Sequence, residues 1–450
     1  MFLVYLTIIN ISINGFHIGF DSGLLESMRS VYQNAYLSIT VSFVSATVFS
    51  LLGGIFNNFV GRKKIMLVAL VIDYFGISIL FYDHSLFLLA RVFQGSSFGL
   101  YASVSSIYIS ELSNQEMKGI TSVLFTSMLL LGQFISILMN LVFSGWQTPF
   151  YNYLLLMKMI ILVIQILTAI AMIESPLRRE ESTIDDVRNC LLKELSFSDS
   201  EAAEVILSIE TSARLKRQSI TRLVKESHIL KCLMIACCLQ AFQQLSAINA
   251  VMYYSPKILL RLDLMRGDMS EKTFNYMLIT IINGVKFFIG VLGAFLVRKL
   301  NKKKLLIVSH CCVGLALLVL AIGLQLTEKY HDEAQTEKSE ELKNHYLYLS
   351  KVFGWQVIFG LFIFLLAFTP TIAHLAWIIN AEIFPCWGKE IGFSISVSVN
   401  WITNTIVTST FLASPDYIPY FGLFHIYAIM QFAASILSSF IVYDPTTSAI

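Results

Sequence analysis

Charge is scarce in this chain: Asp, Glu, Lys and Arg make up 14% of its 450 residues, where about 25% is usual. What charge there is nearly cancels, with 32 Lys and Arg against 30 Asp and Glu. A net +2 and a pI near 8.1 show no bulk attraction to nucleic acid or other polyanions. No Gly-Lys-Ser/Thr phosphate loop occurs, which argues against an ATP-driven pump. Alternating ten-residue strands are absent too, so a membrane β-barrel is excluded. Prolines number only 8, while Phe alone numbers 34. The chain is instead 56% hydrophobic, with a mean hydropathy of +0.69. A soluble enzyme of this size cannot hide so much apolar surface. This is the composition of a polytopic membrane protein.

A membrane helix needs about 20 mostly apolar residues. Twelve such runs are present, at 2–22, 36–56, 65–83, 86–110, 119–143, 151–173, 230–256, 273–297, 304–326, 353–380, 391–413 and 417–443. The first contains Asn10, Asn14 and Asp21 and lacks the basic start and small-residue cleavage site of a signal peptide. It reads as a retained helix. The longest interruption splits the runs six and six, as in transporters built from a duplicated unit. The expected domains are a six-helix bundle over 1–173, a cytosolic linker over 174–229 and a second bundle over 230–450. Within the linker, Ile184, Val187, Leu191 and Leu195 recur at helical spacing, and Ser198 with Glu201 forms a capping box. The polar stretch 327–351 reads as a solvated loop.

Lys and Arg set the orientation. With the N-terminus inside, nineteen fall in inner loops and nine in outer ones. Both termini are therefore expected in the cytosol. All seven Cys then lie in the membrane or on the inner side, leaving none for an outer disulfide. The one Asn-x-Ser/Thr site, at Asn10, falls inside a helix. His17, His374 and His425 lack a spaced acidic or Cys partner, so neither a metal nor another cofactor is expected.

After the second run comes Gly54-Ile-Phe-Asn57-Asn58-Phe-Val-Gly61-Arg62-Lys63-Lys64, where Gly61 permits a sharp reversal. Arg298-Lys-Leu-Asn301-Lys302-Lys303-Lys304 follows the eighth run at the equivalent place. These segments resemble the repeated Gly-x-x-x-Asp-x-x-Gly-Arg-Arg signature of the major facilitator superfamily. Asn58 and Arg298 replace its acids, which implies a weakened cytosolic lock. Further segments are Arg91-Val-Phe-Gln-Gly95, Tyr108-Ile-Ser-Glu111, Glu174-Ser-Pro176-Leu-Arg178, Gln243-Gln244-Leu-Ser-Ala247-Ile-Asn249, Trp377-Ile-Ile-Asn-Ala-Glu382 and Asn400-Trp401-Ile-Thr-Asn404. In this order they resemble the sugar porter family, the glucose-transporter-like branch, over almost the whole chain. Ala247 and Ser106 stand where that family has Gly and Pro. Its Pro-Glu-Thr-Lys-Gly string after the last helix is missing.

The resemblance implies an all-α fold of two six-helix bundles. It also implies a plasma-membrane carrier that moves a monosaccharide, a hexose such as glucose, by rocking about a midplane site, as a uniporter or proton symporter. It assigns sugar contact to Gln133, Gln243, Gln244, Asn249, Asn283, Trp377 and Asn400, and the cytosolic gate to Arg62, Glu111, Arg178, Lys302 and Glu382. In its proton-coupled members an acid at the position of Asp21 pairs with the arginine at Arg91. The residues themselves fit. Amides offer donors and acceptors without charge, which suits hydroxyl-rich ligands, although they also join membrane helices. Gln243 and Asn249 point about 240° apart on a regular helix, so both face one cavity only if the seventh helix breaks between them. Intramembrane charges such as Asp21, Arg91 and Lys286 are expensive and usually functional. Asp21 and Arg91 are open to a purely structural reading. Lys286 could meet an anionic substrate, snorkel or pair internally. Two rivals remain: a sugar sensor, disfavoured by the short segment after the last run, and a carrier for another polar or anionic solute.

Overall fold

A computed structural model describes residues 2–28, 35–57, 59–144, 151–175, 184–215, 226–252, 270–385, 388–413 and 417–441. Among the described residues there is no strand, and each of the twelve apolar runs forms a helix. The first six are α1 (Phe2–Met28), α2 (Ala35–Asn57), α3 (Arg62–Tyr82), α4 (Phe87–Leu112), α5 (Gln115–Phe143) and α6 (Tyr151–Ile170). The linker holds α7 (Ile184–Asn189), continued by a π turn over Cys190–Glu194, and α8 (Asp199–Leu215). Its capping box is formed: Ser198 N–H donates to Glu201 Oε2 at 2.7 Å, and Glu201 N–H donates to Ser198 Oγ at 3.3 Å.

The second half comprises α9 (Ser227–Gln244), α10 (Glu271–Lys299), α11 (Lys302–Thr336), α12 (Glu340–Ala367), α13 (Ala373–Glu382), α14 (Lys389–Ala413) and α15 (Tyr420–Ile441). A π turn at Phe368–Ile372 joins α12 to α13. Ten of the spans are long and apolar enough to cross a bilayer on their own. The other two runs became α4 and α14, which are rich in Ser and Thr and satisfy them by packing. Ser45 Oγ, for example, lies 2.9 Å from Ser96 Oγ and donates to Val92 O. Val68, Phe75, Ile164 and Leu167 are exposed, while Asn10, Asn14, Gln94 and Asn140 are buried. Apolar groups outside and polar groups inside is the distribution hydrocarbon solvent demands.

The stretch 327–351 corrects its reading as a loop. Helix α11 runs on through Thr336 and α12 begins at Glu340, so the polar stretch is a helical hairpin. Its charges make solvated helix faces, with Lys329 and Glu333 paired across one turn at 3.9 Å. Its inner side is aromatic: Tyr330 stacks on Tyr346 and Phe353 with centroids 6.2 and 5.6 Å apart.

Two glycine sites explain local geometry. Gly61 turns the chain between α2 and α3 at φ 92°, where a side chain is strained. A Cβ there would also lie 3.0 Å from the Glu174 carboxylate. Gly19 of α1 and Gly132 of α5 each face the other helix's backbone, with a Cβ on Gly19 falling 1.9 Å from Leu129 O. That contact is the close approach small residues give membrane helices.

The chain forms two compact units. One is Met1–Ala241 with Ala376–Thr405; the other is Phe242–Leu375 with Ile406–Ile450. The first holds α1 to α8. The second holds α10 to α12, and its α11 packs against both α12 and α15.

Candidate functional site

In the first unit, α1 presents Asn10, Asn14, His17 and Asp21 at alternating spacings of three and four, one stripe of a helix, and all four are buried. Gln165 of α6 serves the upper part. Its Nε2 donates to Asn10 O at 2.7 Å and Asn14 Oδ1 at 2.9 Å, and its Oε1 lies 2.6 Å from His17 Nε2. At the lower end Arg91 Nη1 donates to Asp21 Oδ2 at 2.7 Å and to Gln94 Oε1 at 2.7 Å. The paired acid and base expected at these positions are therefore in contact. Two further charges join them. Lys158 of α6 places Nζ 3.8 Å from Asp21 Oδ1 and 3.2 Å from Asp73 Oδ1 of α3. Two acids and two bases sum to zero formal charge, the condition under which such a cluster tolerates burial.

In the second unit the seventh helix breaks. Helix α9 ends at Gln244, a turn occupies 245–247, and helix resumes over 248–252. Ala247 sits at φ 60°, a left-handed conformation that favours Gly. Its N–H donates to Gln244 O at 2.9 Å, and its own carbonyl starts the next turn by accepting from Val251 at 2.8 Å. The break that Gln243 and Asn249 require is thus present. It turns Asn249 back, so that its Nδ2 donates to Gln244 Oε1 at 3.2 Å. Gln243 Nε2 donates to Ala373 O at 3.3 Å. Asn283 is buried and donates to Ile279 O of its own helix at 2.9 Å, and Lys286, one turn on, is buried as well.

The other sugar-contact candidates belong to the first unit. Asn400 Nδ2 donates to Gln240 Oε1 at 2.7 Å. Trp377 is half-buried between Phe125 and Phe393, with centroids 6.0 and 6.4 Å away. Gln133 of α5 is half-buried too.

The gate candidates divide. Arg62 is buried and forks onto Glu111, Nε to Oε2 at 3.0 Å and Nη2 to Oε1 at 2.7 Å. Its Nη2 also donates to Glu390 Oε1 of α14 at 2.8 Å. Glu174 accepts from the backbone N–H groups of Arg62 at 3.0 Å and Lys63 at 3.3 Å, capping the positive end of α3. Arg62 is thus held by two bonds to Glu111 and one to Glu390; Asn58 and Arg178 lie outside the described residues. Lys302 begins α11 in the second unit, and Glu382 ends α13 on an exposed position.

Residues 7–447 match the family described as "Sugar (and other) transporter". The chain belongs to this sugar transporter family. The human proton myo-inositol cotransporter is 24% identical, over 94% of this chain and 77% of that protein. The arabinose-proton symporter of Escherichia coli (strain K12) is also 24% identical, over 85% of this chain and 77% of its own. Among solved structures, the proton:xylose symporter XylE of E. coli bound to 6-bromo-6-deoxy-D-glucose superposes with a TM-score of 0.77 at 17% identity, covering 98% of this chain and 95% of that one. The fold is that of the major facilitator superfamily. The protein is a multi-pass membrane transporter of this family and not an enzyme.

Sequence reasoning passed over Asp73, Lys158, Glu390 and Gln240. For the first two the signal was available, since an ionisable residue within an apolar run is a site hypothesis by default. Glu390 stands at the edge of a run and looks like an ordinary loop acid. Gln240 precedes the amide string by one turn and has no feature of its own until Asn400 meets it.

Proposed function

We propose that the protein carries a neutral polyhydroxylated ring, a monosaccharide (a hexose such as glucose) or a cyclic polyol such as inositol, by alternating access. The observation that carries this reading is the broken seventh helix, which turns Asn249 back onto Gln244, next to Gln243, through a left-handed Ala247. Uncharged amides supply paired donors and acceptors for ring hydroxyls. Gln133, Asn283, Trp377 and Asn400 complete the assigned set, with the indole face of Trp377 against the C–H face of the ring. Relatives named as proton cotransporters of myo-inositol and arabinose support both the ligand class and a role for protons.

Proton coupling is assigned to Asp21 with Arg91. A proton drives a carrier only if it binds two conformations differently. An acid that holds the arginine in one conformation and releases it in the other meets that condition. Arg62, Glu111 and Glu390 serve as the cytosolic gate, together with Arg178, Lys302 and Glu382. The moving bodies are the six-helix segments 1–173 and 230–450, and both termini are cytosolic, in line with the nineteen-to-nine distribution of Lys and Arg.

The test is uptake of radiolabelled glucose, xylose and myo-inositol into liposomes containing only the purified protein, with and without an inward proton gradient. Saturable uptake of at least one ring compound is expected. Uptake of none of them, with saturable uptake of an organic anion, would move the assignment to a charged solute and to Lys286.

A further inference from the structure

The first unit buries a second pair of opposite charges for which the transport reading has no use. Lys158 and Asp73 are both wholly inaccessible to solvent, and the Lys158 ammonium faces the Asp21 oxygen that Arg91 does not hold. Arg91 of α4 holds Oδ2, whereas Lys158 of α6 faces Oδ1. Lys158 is also placed from below, over the Phe98 ring at 5.2 Å. Asp73 is placed by Tyr101, whose Oη donates to Oδ2 at 3.4 Å. The remaining titratable neighbours are few. His17, one turn before Asp21, is bonded to Gln165 and stacked on Tyr101 at 6.4 Å. Helix α5 packs along α1 at Gly132, and its ionisable Glu116 and Lys118 lie in its first turn, about 20 Å of helix away.

A carboxylate in a buried site needs a cation or a proton. For an acid paired with one arginine, parting from the arginine leaves only the proton. Here parting from Arg91 leaves Asp21 beside Lys158. We propose that Lys158, held in place by Asp73, is a second counter-ion for Asp21 that takes over when Arg91 leaves it. The carrier then changes conformation with Asp21 either protonated or ionised, and coupling of sugar to protons is partial. Lys158 acts through Asp21 and is a positioning residue. The inference rests on Asp21 being the proton-binding group.

The experiment compares wild type with the charge-neutral double variant Lys158→Met/Asp73→Asn, reconstituted in lipid nanodiscs without sugar. Hydrogen–deuterium exchange of α1 and α4 is followed from mildly acidic to mildly alkaline pH, as a readout of how often the Asp21–Arg91 contact opens. After division by the intrinsic, base-catalysed exchange rate at each pH, wild-type opening should vary by less than about twofold across this range, while the double variant should open about tenfold less at alkaline pH and recover in acid, where a proton replaces the missing cation. Lys158→Arg should restore the wild-type profile. In proteoliposomes the double variant should also reach a higher sugar accumulation for the same proton gradient, because its uncoupled path is closed. Superimposable pH profiles for wild type and double variant overturn the proposal. If the double variant does not fold, the charge-neutral pair Arg91→Gln/Asp73→Asn substitutes for it: Lys158 is then the one cation beside Asp21, and α1 exchange, corrected in the same way, should stay flat with pH. A requirement for acid pH in that variant also overturns the proposal. Failure of the underlying assignment looks different, because Asp21→Asn would then accumulate sugar as well as wild type does.

Discussion

Replacing Arg62 with Met should destabilise the closed form of the proposed gate far more than it destabilises the fold. In the structure Arg62 makes two hydrogen bonds to Glu111 and one to Glu390, at 3.0, 2.7 and 2.8 Å, with side chains nearly inaccessible to water. Removing the cation leaves two buried carboxylates facing each other. Breaking a buried ion pair by deleting one partner costs about 3–5 kcal/mol, which is roughly 10²- to 10³-fold in an equilibrium. That cost falls on the conformation in which Glu390 reaches Arg62. Cysteine-accessibility or spin-label distances at the ends of α3 and α14 should show the population moving away from it. Arg62→Lys should sit in between, since an ammonium cannot fork onto Glu111 and also reach Glu390. Glu390→Gln should move the population in the same direction as Arg62→Met but by less, because one of the three bonds is weakened while the fork onto Glu111 remains. An unchanged conformational distribution in Arg62→Met, in protein that remains folded, would refute the reasoning, as would equal behaviour of Arg62→Met and Arg62→Lys.

Gln243→Ala and Asn249→Ala should raise the apparent KM for sugar about 5- to 150-fold, the equivalent of one buried hydrogen bond at roughly 1–3 kcal/mol; unaltered kinetics in both, with surface expression intact, would remove these amides from the site. Ala247→Gly should raise thermal stability by about 0.5–1 kcal/mol, because the left-handed conformation costs an L-residue roughly 1–2 kcal/mol and Gly returns part of that gain in chain entropy; a fall in melting temperature would mean that the alanine methyl packs better than the strain costs. Asp21→Asn should abolish accumulation of sugar against its gradient in proteoliposomes while equilibrative counterflow continues. Wild type that only equilibrates sugar under every imposed proton gradient would leave Asp21 and Arg91 as a structural pair.

The break in the seventh helix was legible before any coordinates. Two amides six residues apart cannot share a face of a regular helix, and the contradiction located the irregularity between Gln243 and Asn249. The structure places it at 245–247 and shows how an alanine does the work of a glycine. The helical spans were equally legible, since length and hydropathy act locally. The helical hairpin at 327–351 was not. Alternating Glu and Lys describe a solvated helix face as well as a loop, and the stacking of Tyr330 on Tyr346 and Phe353 that decides between them joins residues far apart in sequence.

The charges show most clearly where reading a chain stops. Asp73 and Lys158 are as visible in their apolar runs as Asp21 and Arg91 are, yet a lone acid in one run and a lone base in another carry no statement about distance. Pairing is set by which helices become neighbours. In the first unit α3 packs against α4 and α6, and α1 against α4 and α6, so four helices each deliver one charge to one point. The bookkeeping of charge then imposes a rule that no single position reveals. Because the four side chains sum to zero, changing any one of them leaves an uncompensated charge in a medium of low dielectric. Removing Lys158 with Asp73, or Asp21 with Arg91, keeps the sum at zero. Single substitutions in this cluster therefore mix loss of fold with loss of function, whereas neutral pairs separate the two, and Asp21→Asn has to be read beside the neutral pair Asp21→Asn/Arg91→Gln.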